Sequence, residues 1–336
     1  MKSKKVFCFG ELLLRFSPTL QGQWIKSQTM PVHIGGAELN VAKALAKWEV
    51  PVGYCTSIPD HYLSKEIIHS LELEHIDCSS FLLQGNRIGT YTLPMGADLK
   101  NAGVIYDRAH SSFSELKVGM LDWENILQGY DWFHFSAISP ALHQTIVDVC
   151  EEGLQVAKKL GLNISVDLNY RAKLWQYGKK PYEIMPVLCS YATVIMGNVW
   201  SAHQLLATTL DPLLNEVCAT SFYIEKAKKV AEEIFSTFPT CNYVANTYRF
   251  SEESSINYYA TLTTKKEHVI STAYHTDVVV DKVGSGDCFM AGLIYSDLQQ
   301  MSPQEQINFA TSAAFGKLQE VGDSTKQTIQ QIQSRY

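Results

Sequence analysis

A β-branched stretch, Asp277–Val280, runs into Asp281-Lys282-Val283-Gly284-Ser285-Gly286-Asp287, and Phe289, Met290, Leu293, Ile294 and Leu298 follow at helical spacing. A strand that turns through Gly-Ser-Gly into a helix is the unit of an α/β fold. Such a turn points several backbone N–H groups at one spot, where an anion is favoured. Asp287 stands at the edge of that spot. A carboxylate beside an anion site is repulsive unless it has work to do, and taking a proton from an attacking hydroxyl is such work. The same residues would also serve a plain strand–helix turn with Asp287 as a first-turn charge.

The rest of the chain alternates in the same way. Strands are expected at Val6–Phe9, Pro51–Ser57, Trp132–Phe135, Ile164–Leu168, Thr193–Met196 and Tyr243–Ala245. Between them, helices are expected after Gly35-Gly36 and at Leu63–Glu74, Ala141–Leu160, Tyr182–Cys189, Trp200–Ala207 and Phe222–Phe238. Ile256–Leu262 and Val269–Tyr274 read as a hairpin. This order implies a mostly parallel sheet covered on both faces. Gln21 to His33 reads as irregular, and Arg87 to Phe113 shows strand-like stretches at Thr90–Leu93 and Val104–Tyr106 without a helix signal. The expectation is an α/β core over 1–11, 35–87 and 114–336, with 12–34 and 88–113 forming a small β-rich lid.

A net charge of −6 over 336 residues argues against nucleic acid as a partner. Cysteines stand at 8, 55, 78, 150, 189, 218, 241 and 288 with no C-x-x-C pair, which suits reduced, buried thiols in the cytoplasm. Val6–Phe9 is too short an apolar run for a signal peptide, and no stretch is long enough for a membrane span. The ten histidines lack H-x-x-x-H and H-E-x-x-H spacings, so no zinc site is expected.

Three further groups carry chemistry. Gly35-Gly36-Ala37-Glu38-Leu39-Asn40 lets backbone approach a ligand, with Asn40 available to hydroxyls or a carboxylate. Asp167-Leu168-Asn169-Tyr170-Arg171 ends a buried strand, and an arginine there suits a carboxylate or phosphate. Tyr91 and Tyr106-Asp107-Arg108 fall in the lid, where tyrosines and an arginine suit a sugar acid. Each also has a structural reading, as turn glycines, a strand-end ion pair and a half-buried hairpin. The run at 281–287 is neither a P-loop nor a dinucleotide fingerprint, since Phe289 stands at the third glycine position.

Taken together, these pieces resemble the ribokinase-like (PfkB) carbohydrate kinases, from Gly10-Glu11 to about Gly322-Asp323. The family signature D-x-x-G-A-G-D-x-F is matched at Asp281, Gly284, Ser285, Gly286, Asp287 and Phe289, and the Gly-Gly…Asn signature at Gly35, Gly36 and Asn40. Within the family, Gly10-Glu11-Leu12-Leu13-Leu14-Arg15, Asp167–Arg171 with Leu174-Trp175, and Tyr106-x-Arg108 are similar to 2-keto-3-deoxygluconate kinases. The resemblance implies a three-layer sandwich with a lid that pairs two copies as a dimer, Trp24 and Ile25 being candidate contacts. It implies Asp287 as catalytic base, with the amides of Gly284, Ser285 and Gly286 as anion hole. A sugar acid would be held by Gly36, Asn40, Tyr91, Tyr106, Arg108 and Arg171, and phosphorylated at a primary hydroxyl by ATP with Mg²⁺. Asn198, Thr247, Arg249, Gly284 and Gly286 would meet the nucleotide. Metal ligands stay unassigned, because Ser201 stands where the family's N-x-x-E has Glu, and Asn246-Thr247-Tyr248-Arg249 replaces a K-x-G-x-x-G loop. A monovalent cation is left open, as are three rival functions: a neutral-sugar kinase, a sugar-binding regulator and, disfavoured by Phe289 and Asp287, an unrelated Rossmann-type NAD enzyme.

Overall fold

The computed structural model describes residues 4–19, 24–94, 103–216, 219–252 and 255–336. Cys218, the lid pieces 20–23 and 95–102, and the side chain of Trp24 lie outside the described residues. The described strands form a ten-stranded main sheet. Across it run Ile76–Asp77, Val52–Cys55, Val6–Phe9, Trp132–Ser136, Asn163–Asp167, Val194–Gly197 and Tyr243–Glu252, each parallel to its neighbour. Ser255–Thr264 returns antiparallel and carries His268–Ile270 and Tyr274–Thr276 on its far edge.

Val6–Phe9 shows why the strands read as unbroken apolar runs. All four residues are buried, because helices cover both faces. Phe7 and Phe9 point into one core with Phe133 and Phe135, beneath the helices Gln144–Lys159, Pro181–Cys189, Val199–Leu206 and Thr220–Thr237. Val6 and Cys8 point into the other, beneath Ala37–Lys47, Tyr62–Leu73, Ser285–Leu298 and Pro303–Lys317. The result is the expected three-layer α/β sandwich. The described cysteines are buried and unpaired, and no described helix is long and apolar enough to cross a membrane.

A second, four-stranded sheet is ordered Val32–Gly35, Leu13–Phe16, Gly89–Thr92, Ile105–Asp107. Its central strands alternate. Leu13, Arg15 and Tyr91 are buried on one face, and Leu14, Phe16, Thr90 and Thr92 are half-buried on the other. Val32 and Ile105, which flank the Phe16–Thr92 row, are exposed, as is Ile25.

Several expectations need correction. Asp277–Val280 is not a strand. The edge strand is Tyr274–Thr276, and the Val280 and Asp281 amides donate to the Leu318 carbonyl instead of a ladder. The stretch 21–33 is not irregular throughout. It holds a short helix, Trp24–Ser27, and the start of Val32–Gly35, whose backbone pairs with Leu13–Phe16. The strand expected at Tyr243–Ala245 continues to Glu252, so Asn246–Arg249 is ladder and not loop. The hairpin's second arm is split in two, His268–Ile270 and Tyr274–Thr276, with 271–273 outside any strand. Pro303–Lys317 was not anticipated, because its buried positions surround the helix and leave no one-sided apolar stripe.

Candidate active site

The start of the Ser285–Leu298 helix organises the site. Gly284 is its N-cap, with φ 78° and ψ −3°. A Cβ there would stand 1.7 Å from the Asp323 carbonyl oxygen, so both the backbone angle and the contact demand glycine. Ser285 turns its hydroxyl inward to donate to the Ala314 carbonyl at 3.0 Å. Gly286 is different. A Cβ on it would meet only Met196 Cε at 4.0 Å, so the backbone is bare toward the cavity. The first-turn N–H groups have no intrahelical acceptor and carry the positive end of the helix dipole.

These residues form part of the wall of a cavity of about 660 Å³ at the C-terminal ends of the parallel strands. Of the expected site residues, Gly36, Asn40, Tyr91, Tyr106, Arg171, Asn198, Thr247, Arg249, Gly284, Ser285, Gly286 and Asp287 line it. Arg108 does not. It is buried, and its Nε donates to Glu11 Oε2 at 2.5 Å, while Nη1 and Nη2 have no partner among the described residues. Tyr91 lines the cavity with its ring, but its hydroxyl donates to Asp323 Oδ2 at 3.1 Å and is already committed.

Asp287 is half-buried at the cavity wall and accepts a hydrogen bond from Asn40 Nδ2 at 2.7 Å. Desolvation is the main cause that pushes its carboxyl up to about 8. The Asn40 bond opposes that rise, the charges of Asp167 and Glu38 add to it, and Arg171 opposes it. Glu38 is itself buried, with Oε1 held by the Ser136 amide and hydroxyl and by Ser139. Three buried polar atoms on cavity-lining residues lack a partner: Asn40 Oδ1, Tyr106 OH and Arg171 Nε. Arg171 otherwise donates from Nη1 to the Tyr170 carbonyl at 3.0 Å.

Ser201 acquires a role the sequence did not suggest. Its hydroxyl and amide complete a capping box with Asn198, whose Oδ1 accepts from the Ser201 amide at 2.8 Å. Asn198 thus presents its amide NH₂ from a fixed helix start. Sequence reasoning quoted Asp167 and Lys282 without assigning them to the site, yet both line the cavity. The signal was present in each case: one ends a buried strand, and the other lies within the 281–287 run. Lys173, also on the wall, bonds the Val104 carbonyl at 3.1 Å and ties this loop to the second sheet.

A profile of the pfkB family carbohydrate kinases matches residues 3–329. The chain belongs to this family. Within it, the chain is 32% identical to a 2-dehydro-3-deoxygluconokinase from Thermotoga maritima of known crystal structure, with a TM-score of 0.88 over 99% of both chains. It is 24% identical to the Bacillus subtilis 2-dehydro-3-deoxygluconokinase over 94% of this chain and 90% of that one. A Haloferax volcanii 2-dehydro-3-deoxygalactonokinase is 30% identical, and that match spans 50% of this chain and about half (52%) of the relative. The pfkB relatives are sugar kinases, and so is this chain.

Two outcomes follow from the geometry. Gly286→Ala should keep the melting temperature while lowering kcat by at least about tenfold, since its methyl enters open cavity beside the helix start. Gly284→Ala should lose several degrees of stability, because the methyl overlaps the Asp323 carbonyl. Differential scanning fluorimetry with steady-state kinetics separates them. Equal loss of stability in both would contradict the assignment. Asp287 binds a proton in the fold that the unfolded chain, with an ordinary value of 3.8, does not hold. Its stabilising contribution is therefore complete below about pH 4 and is lost as pH rises through about 8. Asp287→Asn should melt with the wild type at the acid end and above it at pH 8.5. A wild-type melting advantage at pH 8.5 would refute the raised value.

Proposed function

We propose that the enzyme transfers the γ-phosphoryl group of ATP to a primary hydroxyl of a sugar acid, with 2-keto-3-deoxygluconate as substrate and O6 as acceptor. The observation that carries this reading is the chemistry of the cavity wall, where Asn40, Tyr106 and Arg171 stand together and each holds a buried polar atom, Oδ1, OH and Nε, without a partner among the described residues. A buried polar atom without a partner costs free energy, on the order of 1–3 kcal/mol, so such a set calls for a polar ligand. The guanidinium among them favours an acidic one. The Thermotoga maritima and Bacillus subtilis relatives bear the name of a kinase of the same keto-deoxy acid, also called 2-dehydro-3-deoxygluconate.

In this mechanism Asp287 accepts the proton of the attacking hydroxyl. A raised carboxyl is a stronger base once ionised, and Asn40 fixes its direction. The backbone N–H groups of 284–286 take up charge that spreads over the transferred phosphoryl oxygens. The bare face of Gly286 gives a phosphate room to approach them. Thr247, Arg249 and Lys282 line the cavity with Asn198, and we assign them to the nucleotide. Among the described residues no three His, Cys, Asp or Glu side chains are grouped to hold a metal. Mg²⁺ ordinarily keeps several waters and takes one or two carboxylates beside the phosphates. Asp167, on the cavity wall and separate from the proposed base, would supply one such carboxylate. When bound, the ion would offset charge between the β- and γ-phosphates. The second sheet, Val32–Gly35, Leu13–Phe16, Gly89–Thr92 and Ile105–Asp107, would act as the lid that excludes water as a competing acceptor.

Coupled ADP release with Mg-ATP, over 2-keto-3-deoxygluconate, gluconate, fructose and ribose, tests the reading. The keto-deoxy acid is expected to exceed the neutral sugars in kcat/KM by at least about 10²-fold. Arg171→Ala should raise its KM by about 10–100-fold, the range of one lost charged hydrogen bond. Equal turnover of fructose would overturn the sugar-acid assignment, and unchanged kinetics in Arg171→Ala would remove that residue from substrate binding.

A further inference from the structure

Arg15 has no exposed surface, is the one charged residue among the largest fully buried side chains of the described residues, and comes from the centre of the second sheet. Its Nη2 lies 2.7 Å from Asp281 Oδ2 and its Nε 2.8 Å from Asp323 Oδ1. Nη1 reaches Ser17 Oγ at 3.3 Å. Both carboxylates serve backbone or lid as well. Asp281 accepts from the amides of Val283 at 3.1 Å and Gly322 at 3.3 Å, and Asp323 accepts from the Tyr91 hydroxyl. The Asp323 carbonyl is the group that packs on Gly284. A continuous chain of charged hydrogen bonds thus runs from the lid strand, through Arg15, to the residues immediately before the helix start.

A buried ion triad is weak as a stability device, because the desolvation of three charges offsets their attraction. What it does supply is direction, since a planar fork fixes two carboxylates at once. Two carboxylates beneath a phosphate site would also repel the phosphate if left unneutralised. We propose that Arg15 is a positioning residue for phosphoryl transfer: through Asp281 and Asp323 it sets the backbone of the anion-binding turn and keys that turn to the lid. The inference rests on the reading of 284–286 as the anion hole. Arg15 touches no reactant, so its removal acts on the transfer step more than on sugar binding.

The experiment compares wild type, Arg15→Lys and Arg15→Ala by ADP release, with the sugar that the wild type turns over fastest among the four named above. Melting curves are recorded alongside. Lysine keeps the charge but cannot span both acids. Arg15→Lys is expected to melt cooperatively and to lose at least about tenfold in kcat, with the KM for sugar within about threefold, as a misplaced catalytic group demands. Arg15→Ala should lose more, and millimolar guanidinium should restore kcat where potassium at equal ionic strength does not. A kcat in Arg15→Lys within about threefold of wild type would overturn the proposal. So would equal rescue by potassium, or failure of both variants to fold, which would assign Arg15 to stability alone. A wild type inactive on every sugar would instead sink the functional reading, and the positioning role with it.

Discussion

Gly284 lies so close to the Asp323 carbonyl that no side chain fits between them, and this contact sets where the Ser285–Leu298 helix begins. Much else follows from that starting point. Gly286 one step later can leave its backbone bare, and Asp287 another step on accepts a hydrogen bond from Asn40 of the neighbouring Ala37–Lys47 helix. The contact is itself held from below by Asp281, Asp323 and Arg15, which belong to three separate stretches of chain. The helix start therefore answers to the core, through Ser285 and Ala314, and to the second sheet, through Arg15.

The cost of the site is visible in its acids. Asp287 is pushed up by desolvation and by the charges of Asp167 and Glu38, against the pull of Asn40 and Arg171. A chain selected for stability alone would place an amide there. A carboxyl raised to about 8 keeps its proton at neutral pH and is free to accept one only as pH rises toward and past that value, so the proposed base role calls for a bound substrate or cation that draws the group back down. The unpartnered atoms of Asn40, Tyr106 and Arg171 are a further cost of the same wall, and the proposed sugar acid is the polar ligand that would offset it.

The layers and most strands were legible because parallel strands covered on both faces read as short apolar runs between amphipathic helices. The helix start was legible because glycine and aspartate in a fixed local order have few other uses. What escaped notice depends on distant pairing. Arg15 and Asp323 are 308 positions apart, and nothing local in either marks the ion pair. Glu11 and Arg108 are 97 apart, so the diversion of Arg108 from the cavity wall could not be read from Tyr106-x-Arg108. The hydroxyl of Tyr91 and the hydroxyl of Ser201 were open to several partners by sequence, and folding chose Asp323 and the Asn198 backbone. Asn246–Arg249 looked like a loop because its polar residues hide a ladder set by the opposing strand Ser255–Thr264.

The proposal that Asp287 takes the proton from a hydroxyl held at this helix start is tested most directly by the kcat of Asp287→Asn. Its sugar and nucleotide dissociation constants would be measured by calorimetry in the same preparation. The account expects kcat to fall by at least about 10²-fold, the share a positioned base supplies, with both constants within about threefold of wild type. A near-normal kcat with binding intact would contradict it and remove Asp287 from the role of base.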